Sequence, residues 1–239
     1  MKRRALLLCL IVCLLLSCLP SAALAGNGIT EFPQSTMAYM DIKFKCGCTR
    51  IGTGAMICKN GLITAGHNLL CSKHNKSASS IVFYFGYKSK NNYLYRYSGS
   101  CNFWYFCDFS DGYNSENDFG YVRFPSNVGD RTGWMGLQVY GDSDLNGAKC
   151  FIGAYKSDGS LLIYQSTMNV KGTKELTINR SEIAYGGEGG PIYILRGAGR
   201  NAAVVGVYTS HSTTQSTCTG VRLTNKLFNE MHEDLTFGK

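Results

Sequence analysis

The feature that most constrains this chain is a glycine-rich run, Tyr185-Gly186-Gly187-Glu188-Gly189-Gly190-Pro191. Only glycine takes positive φ angles freely and lets the main chain approach another group closely. A hairpin this dense in glycine therefore brings backbone amides close to a partner. Three other segments are organised around it, at residues 64–68, 116–120 and 205–210.

The rest of the chain indicates many short strands. From Ile42 onward, apolar or alternating runs rich in aromatic and β-branched residues are separated by Gly, Asn, Asp and Ser. This spacing predicts an all-β sandwich or barrel, because the strand–helix alternation of a parallel sheet is missing. The predicted strands are 52–57, 62–64, 81–87, 93–98, 119–124, 149–155, 161–169, 174–178, 191–195 and 203–208.

One helix is predicted, over about residues 225–235 at the end of the chain. Thr224 is a suitable N-cap for it, and apolar residues recur behind it at helical spacing. Its apolar face comprises Leu227, Phe228, Met231 and Leu235. A helix of this kind is expected to dock on the β body.

The first 25 residues have the pattern of a secretory signal peptide. A basic start at 2–4 precedes an apolar run at 5–16 and small residues at 23–25. This predicts a secreted mature chain, 26–239, with no membrane segment after cleavage. The alternative is a lipoprotein anchored through Cys18, since Leu-Leu-Ser-Cys resembles a lipobox.

The charge of the mature chain is mild. Three of the 24 basic residues and none of the 16 acidic residues precede position 26, so the mature net charge is +5. The excess is spread along the chain without a basic block, which favours a role in solubility over nucleic-acid binding. No nucleic-acid partner is therefore expected.

An aromatic cluster between residues 83 and 106 invites a second interpretation, a stacking platform for bases or sugars. Alternating aromatic residues in strands ordinarily pack in a core or on a hairpin surface, and few basic residues interleave here. Packing is therefore the favoured interpretation. The cluster comprises Phe83, Tyr84, Phe85, Tyr87, Tyr93, Tyr95, Tyr97, Phe103, Trp104, Tyr105 and Phe106.

Cysteine usage is consistent with export. An even number in a secreted protein favours disulfides, and the first pairs expected are Cys58–Cys71 and Cys101–Cys107. A zinc site is the alternative, disfavoured because no Cys-x-x-Cys pair occurs. The eight cysteines of the mature chain are Cys46, Cys48, Cys58, Cys71, Cys101, Cys107, Cys150 and Cys218.

His67 and Asp118 are candidates for acid–base chemistry. Small residues, Ala65 and Gly66, separate an apolar strand end from His67 and leave space for an imidazole. A catalytic histidine needs a carboxylate to orient its second nitrogen, and Asp118, just before a predicted strand, is the natural candidate.

These motifs follow the order of a known family. The sequence resembles trypsin-like serine peptidases of the chymotrypsin fold, which carry His, Asp and Gly-x-Ser-Gly-Gly-Pro in this order. The matches are Thr64-Ala65-Gly66-His67, Asn117-Asp118-Phe119-Gly120 and the glycine-rich run, with the stretch 129–137 similar to the glutamyl endopeptidase (V8-like) branch.

The resemblance implies an all-β fold of two six-stranded Greek-key barrels followed by the C-terminal helix. The peptidase domain would occupy 26–239, with barrels over about 40–128 and 136–223 and the helix over about 225–235.

The resemblance also implies the site residues. His67 would be the general base, Asp118 its orienter, and the amides of Gly186 and Glu188 the oxyanion hole. The substrate cleft would be lined by Tyr208, Thr209 and Ser210 and would take a peptide or protein ligand. No cofactor or metal is expected.

Glu188 stands where the family has its nucleophilic serine. A carboxylate is a poor nucleophile toward an amide, and this side chain is too long for the attack position. The prediction is therefore an impaired or inactive peptidase homologue, with Glu188 paired to a protonated His67. The alternatives are an active hydrolase using a variant mechanism, or a metal bound by His67, Asp118 and Glu188. The metal is disfavoured because Asp118 is expected to hold His67.

Tyr208 is a second departure from the family. The glutamyl branch has a histidine at this position to receive an acidic side chain of the substrate. A preference for glutamate substrates therefore does not transfer to this chain.

Overall fold

The computed structural model describes residues 31–110, 112–179, 187–196, 201–211 and 217–237. The predicted signal peptide and Cys18 lie outside these ranges. Within them, no helix is long and apolar enough to cross a membrane.

The first half of the chain forms one antiparallel sheet. Its strand order is β4-β5-β1-β2-β3-β8-β7, and β6 also pairs with β5. Six strands make the body of a barrel, while β4 and β6 are short additions along β5. The strands are β1 (Met37–Phe44), β2 (Thr49–Met56), β3 (Gly61–Thr64), β4 (Leu70–Cys71), β5 (Lys76–Phe85), β6 (Tyr95–Tyr97), β7 (Asn102–Tyr105) and β8 (Gly120–Arg123).

The second half forms a closed ring of six strands. β10, β11, β12, β15, β14 and β13 pair in that order, and β13 pairs back to β10, with β9 added in parallel to β14. The non-sequential order is that of a Greek-key barrel. The strands are β9 (Gly136–Leu137), β10 (Ala148–Tyr155), β11 (Leu161–Lys171), β12 (Glu175–Ile178), β13 (Pro191–Arg196), β14 (Asn201–His211) and β15 (Cys218–Arg222).

Helices are few among the described residues. They are α1 (Gly129–Thr132), α2 (Asp142–Leu145) and α3 (Asn225–Phe237), with 3-10 turns at Gln34–Thr36, Gly66–Asn68 and Ser115–Asn117. The predicted architecture, two β-barrels and one C-terminal helix, is confirmed.

Helix α3 begins as predicted. The amide of Leu227 donates to Oγ1 of Thr224 at 3.3 Å, which is an N-cap hydrogen bond. Met231 is fully buried, and Leu227, Phe228 and Leu235 pack on the same core between the barrels. Tyr121 of β8 also donates a hydrogen bond to Asp234, so the helix is tied to the first barrel as well.

A shared core joins the barrels. Met37 of β1 and Tyr155 of β10 are both fully buried in it. The amide of Tyr155 donates to Oγ1 of Thr53 at 2.9 Å, and the Tyr155 hydroxyl accepts from the amide of Tyr87 at 2.9 Å. These contacts fix the second barrel against the first.

The aromatic cluster packs largely within the first barrel. Phe83 and Phe85 are fully buried and meet Phe124 edge-on, at centroid distances of 5.0 and 6.4 Å. Trp104 stacks on Tyr121 at 5.1 Å. These rings therefore have packing roles, in line with the favoured interpretation.

Neither of the two disulfides expected first is formed in the described part of the chain. Cys101 directly precedes β7 and Cys107 lies two residues beyond it, so six steps along an extended segment place them about 20 Å apart, far beyond the reach of a disulfide. The Cys58 thiol donates to Oδ1 of Asn60 at 3.4 Å, whereas Sγ of Cys71 lies beside Cys46, Cys48 and His74.

Candidate active site

His67 lies in a short 3-10 turn directly after β3. Its side chain is buried, with 4% of the residue exposed. Nδ1 lies 2.5 Å from Oδ2 of Asp118. A carboxylate only accepts hydrogen bonds, so the ring proton is placed on Nδ1, and Nε2 is the nitrogen that remains available as a base.

Asp118 is fully buried and accepts three hydrogen bonds. Besides Nδ1, its Oδ1 accepts from the amide of His67 at 2.8 Å, and its Oδ2 accepts from the hydroxyl of Tyr113 at 2.9 Å. These donors offset the cost of burying a carboxylate and fix its orientation. The structure therefore brings together the predicted base and its predicted orienter.

Tyr113 is a site residue that sequence reasoning missed. Its ring is half exposed, while its hydroxyl lies against Asp118 and within hydrogen-bonding reach of Thr209 and Ser210. Burial of the hydroxyl, followed by the negative charge of Asp118, raises the pKa of Tyr113. The phenol therefore stays protonated and acts as a donor across the physiological range.

The second barrel holds the segment that carries Asp118. Ser115 donates to Oε2 of Glu175 at 2.8 Å, and Nζ of Lys174 donates to Oδ1 of Asn117 at 3.1 Å. Both partners belong to the second barrel: Glu175 is the first residue of β12, and Lys174 directly precedes it. The position of Asp118 therefore depends on contact between the barrels.

The described part of the glycine-rich run, 187–191, contacts both barrels, and two of its glycines are required there. Gly189 has φ +93°, and a Cβ on it would lie 2.2 Å from the carbonyl oxygen of Thr53 and 2.3 Å from Oγ1 of Thr64. A Cβ on Gly190 would lie 1.9 Å from the carbonyl oxygen of Gly153. No other residue fits at either position without displacing backbone.

Glu188 is held by its main chain beside the His67 turn. Its carbonyl oxygen accepts from the amide of Thr53 at 2.9 Å and from Nδ2 of Asn68 at 2.9 Å. Asn68, the residue after His67, is fully buried and also donates to Oγ1 of Thr64 at 2.9 Å. Asn68 is thus a second site residue that sequence reasoning missed, since its partner is 120 residues away.

The basic nitrogen of His67 is buried, and among the described residues it has no hydrogen-bond partner. The predicted pairing of Glu188 with His67 is therefore not made through a hydrogen bond at this nitrogen. Glu188 is half buried, and its charge bears instead on Tyr208: burial first, then the Glu188 carboxylate, raises the pKa of Tyr208.

The predicted cleft residues lie on β14 next to the hairpin. Gly189 donates its amide to the carbonyl of Tyr208 at 2.7 Å, and Tyr208 donates its amide to the carbonyl of Gly190 at 2.9 Å. Tyr208 and Thr209 are buried, and Ser210 is half buried with its hydroxyl 2.6 Å from that of Thr219. Gly186, predicted to supply an oxyanion-hole amide, lies outside the described residues.

Metal-ligating atoms do not converge at this site in the described part of the chain. The convergent set found among these residues includes none of His67, Asp118 and Glu188. It lies elsewhere, at Cys46, Cys48, Cys71 and His74.

No protein-family model matches the chain. Among curated proteins, it is similar to an extracellular metalloprotease of Bacillus subtilis (strain 168), with 22% identity over 208 residues. The alignment covers 86% of this chain and 65% of the relative, so the chain spans less than two thirds of that protein's length.

Solved structures share the fold at low identity. A Glu endopeptidase in complex with MPD has a TM-score of 0.70 at 16% identity, covering 86% of this chain and 93% of that one. The protease Anisep from Arthrobacter nicotinovorans has a TM-score of 0.70 at 15% identity, with coverages of 87% and 99%. The thermostable serine protease AL20 from an extremophilic microorganism has a TM-score of 0.70 at 13% identity, with coverages of 85% and 98%. The chain therefore has the chymotrypsin-like fold.

Proposed function

We propose that this protein is a secreted homologue of chymotrypsin-like serine peptidases in which Glu188 replaces the nucleophile. It is impaired or inactive in peptide-bond hydrolysis and keeps a cleft for a peptide or protein segment. The observation that carries the proposal is the basic nitrogen of His67, buried and without a hydrogen-bond partner among the described residues. In a working site of this type, that nitrogen takes the proton of a serine hydroxyl.

The chemistry of position 188 supports the loss of activity. His67 and Asp118 have the geometry of a base and its orienter, with 2.5 Å between the paired atoms. Acyl transfer needs a hydroxyl or thiol that this base can deprotonate. A glutamate offers neither, and an anhydride formed by its attack on an amide would revert readily.

No other described side chain beside this pair is suited to serve as the nucleophile. The Cys107 thiol lies by Gly66 and Asp118, on the carboxylate side of the pair. Burial, followed by the charge of Asp118, raises the pKa of Cys107, and a thiol that stays protonated is unreactive. The hydroxyl of Tyr113 is committed to Asp118.

An active hydrolase with a variant mechanism is the alternative. One observation favours it: Asp118 accepts three hydrogen bonds and holds the His67 ring through Nδ1. An inactive protein has no chemical need for that arrangement. Restoring the serine at position 188 separates the two possibilities.

Export and peptide binding are supported by similarity. The curated relative is described as extracellular, and the structural neighbours are proteases. The cleft strand, β14, presents Thr209 and Ser210 beyond the glycine-rich hairpin, where a substrate strand would add in this fold.

The test compares the purified protein with its Glu188→Ser variant on casein and on a fluorophosphonate probe. We expect no probe labelling of the natural sequence and a gain in casein hydrolysis of at least about 1,000-fold in Glu188→Ser, since a triad serine contributes about 10⁶-fold. The double variant Glu188→Ser/His67→Ala is the matched control and should lose that gain.

Two results would contradict the proposal. Casein hydrolysis by the natural sequence that disappears in His67→Ala would establish the alternative, and its loss on chelation would indicate a metal mechanism. An inactive but folded Glu188→Ser would show that position 188 is not what limits the site.

A further inference from the structure

Two tight turns of the first barrel carry a cluster of thiols and one imidazole. Cys46 and Cys48 flank Gly47 in the turn between β1 and β2. Cys71 is the last residue of β4 and His74 lies in the turn that leads to β5, in the sequence Cys-Ser-Lys-His. The pattern is Cys-x-Cys together with Cys-x-x-His.

The backbone holds the turns side by side. Strand β5 pairs with β1 on one side and with β4 on the other. The amide of Lys45 donates to the carbonyl of Ser77 at 3.0 Å, which links the first turn to the start of β5. The cluster is thus a product of sheet pairing and not of neighbouring sequence.

Each turn has its own fixed geometry. Gly47 has φ +87°, and its amide donates to the carbonyl of Phe44 at 2.9 Å. Asn75 has φ +50°, its amide donates to the carbonyl of Cys71 at 2.8 Å, and its side chain donates to Asp108 at 2.9 Å. The four side chains therefore start from a defined frame.

The ligand atoms have the spacing of a tetrahedral site. The three Sγ atoms and one imidazole nitrogen all lie within 4.8 Å of one another. Nδ1 of His74 is 3.4 Å from Sγ of Cys48 and 3.7 Å from Sγ of Cys71. Zinc bonded to sulfur at about 2.3 Å and to nitrogen at about 2.0 Å in a tetrahedron gives sulfur–nitrogen edges of about 3.5 Å.

We propose that Cys46, Cys48, Cys71 and His74 bind a structural zinc ion. Three thiolates and one imidazole complete a four-coordinate site, which leaves no position for substrate. The chain lacks a Cys-x-x-Cys pair, which is why spacing along the sequence disfavoured zinc. The donors come from two separate turns instead.

Disulfide formation is the competing fate of these thiols in an exported protein. One disulfide would join two of the three cysteines at an S–S distance of about 2 Å and leave the third thiol and His74 without a role. Zinc uses all four groups.

The ion would brace the turn that carries His67. Cys71 follows His67 by four residues, and β4 begins directly after that 3-10 turn. On the other side, Asn75 reaches Asp108, next to Cys107, whose thiol packs on Gly66. A zinc ion here stabilises the base from outside the cleft, and the proposal is independent of whether the protein is a peptidase.

The test measures zinc bound to the purified protein, prepared under reducing conditions, by elemental analysis and by competition with a chromophoric chelator. We expect one zinc ion per chain, and cobalt substitution should give the thiolate charge-transfer and tetrahedral ligand-field bands. Cys48→Ser and His74→Ala should each weaken zinc binding by more than about 100-fold, since even outer-shell partners contribute 10–100-fold. His74 is exposed, so its variant is expected to fold.

Cys58→Ser is the matched control, because that thiol is also half buried but lies outside the cluster. It should keep full zinc content and affinity. The proposal is overturned if the reduced natural protein binds no zinc, or if Cys48→Ser and His74→Ala bind it as tightly as the control. Peptide mapping that finds a disulfide within the cluster in protein purified with zinc also overturns it.

Discussion

At the scale of single residues, the site combines two kinds of constraint. Asp118 is fixed by hydrogen bonds, since three donors converge on one buried carboxylate. Gly189 is fixed by space, because backbone and side-chain atoms of the first barrel fill the volume where a Cβ would lie. The first constraint orients the base, and the second sets where residue 188 lies relative to it.

Gly189→Ala tests the spatial constraint. The new Cβ would collide with Thr53 and adopt a strained backbone, so the free energy of unfolding should fall by about 2–5 kcal/mol, strain and overpacking together. Urea denaturation measures this. Gly112→Ala is the control, because Gly112 has φ +102° but no atom lies within 4 Å of the place its Cβ would take. It should cost only the strain, about 1 kcal/mol. If both variants lost the same free energy of unfolding, the surrounding backbone would have moved to make room for the new methyl group at position 189.

Some residues of this site could be predicted from the sequence, and others could not. His67, Asp118 and Glu188 carry motifs, and their segments were recognisable. Tyr113 and Asn68 carry none: a tyrosine in a polar loop and an asparagine after a histidine are ordinary residues. Their roles arise from partners that only the folded chain brings near.

At the scale of elements, local signals decided which patterns were recognisable. Helix α3 and its Thr224 cap were predicted because both signals are local. Strand β1 was not predicted, although Met40, Ile42 and Phe44 are buried and alternate with exposed Asp41 and Lys43. The two-residue strands β4 and β9 are too short to show any period. Their pairing comes from neighbouring strands.

Thr224→Ala tests the helix cap. Loss of the hydroxyl leaves the amide of Leu227 without its 3.3 Å acceptor, and the free energy of unfolding should fall by about 1 kcal/mol. Thermal and urea denaturation measure it. Thr224→Ser keeps the oxygen and should retain nearly the natural stability. If the serine variant were as unstable as the alanine variant, packing of the methyl group would be the cause and not capping.

At the scale of the whole molecule, buried hydroxyls and thiols link stability to pH. Burial is the main cause that raises the pKa of Tyr113, Tyr121, Tyr155, Tyr193 and Tyr208 above 10.0. Burial likewise raises the pKa of Cys101 to about 11 and that of Cys150 to about 12, from 9.0. These groups stay protonated in the folded protein when the unfolded chain has already ionised.

The sign of the effect follows from this difference. Above about pH 9 for the thiols and pH 10 for the tyrosines, the unfolded chain binds fewer protons than the folded one, so stability falls as pH rises. We expect full stability below this range and cooperative alkaline unfolding above it. Tyrosinate absorbance and circular dichroism should change together. Tyrosinate forming gradually in a chain that stays folded would contradict the prediction.

The glycine-rich hairpin has a further consequence for how the protein folds in time. It belongs to the second barrel. The two groups that donate hydrogen bonds to the carbonyl of Glu188, on Thr53 and Asn68, belong to the first. The strand ladders of each barrel need no pairing partner from the other barrel. The environment of residue 188 needs both barrels, so it forms only once they are together. A newly made chain therefore has no formed cleft while its halves are apart, whichever side chain occupies that position.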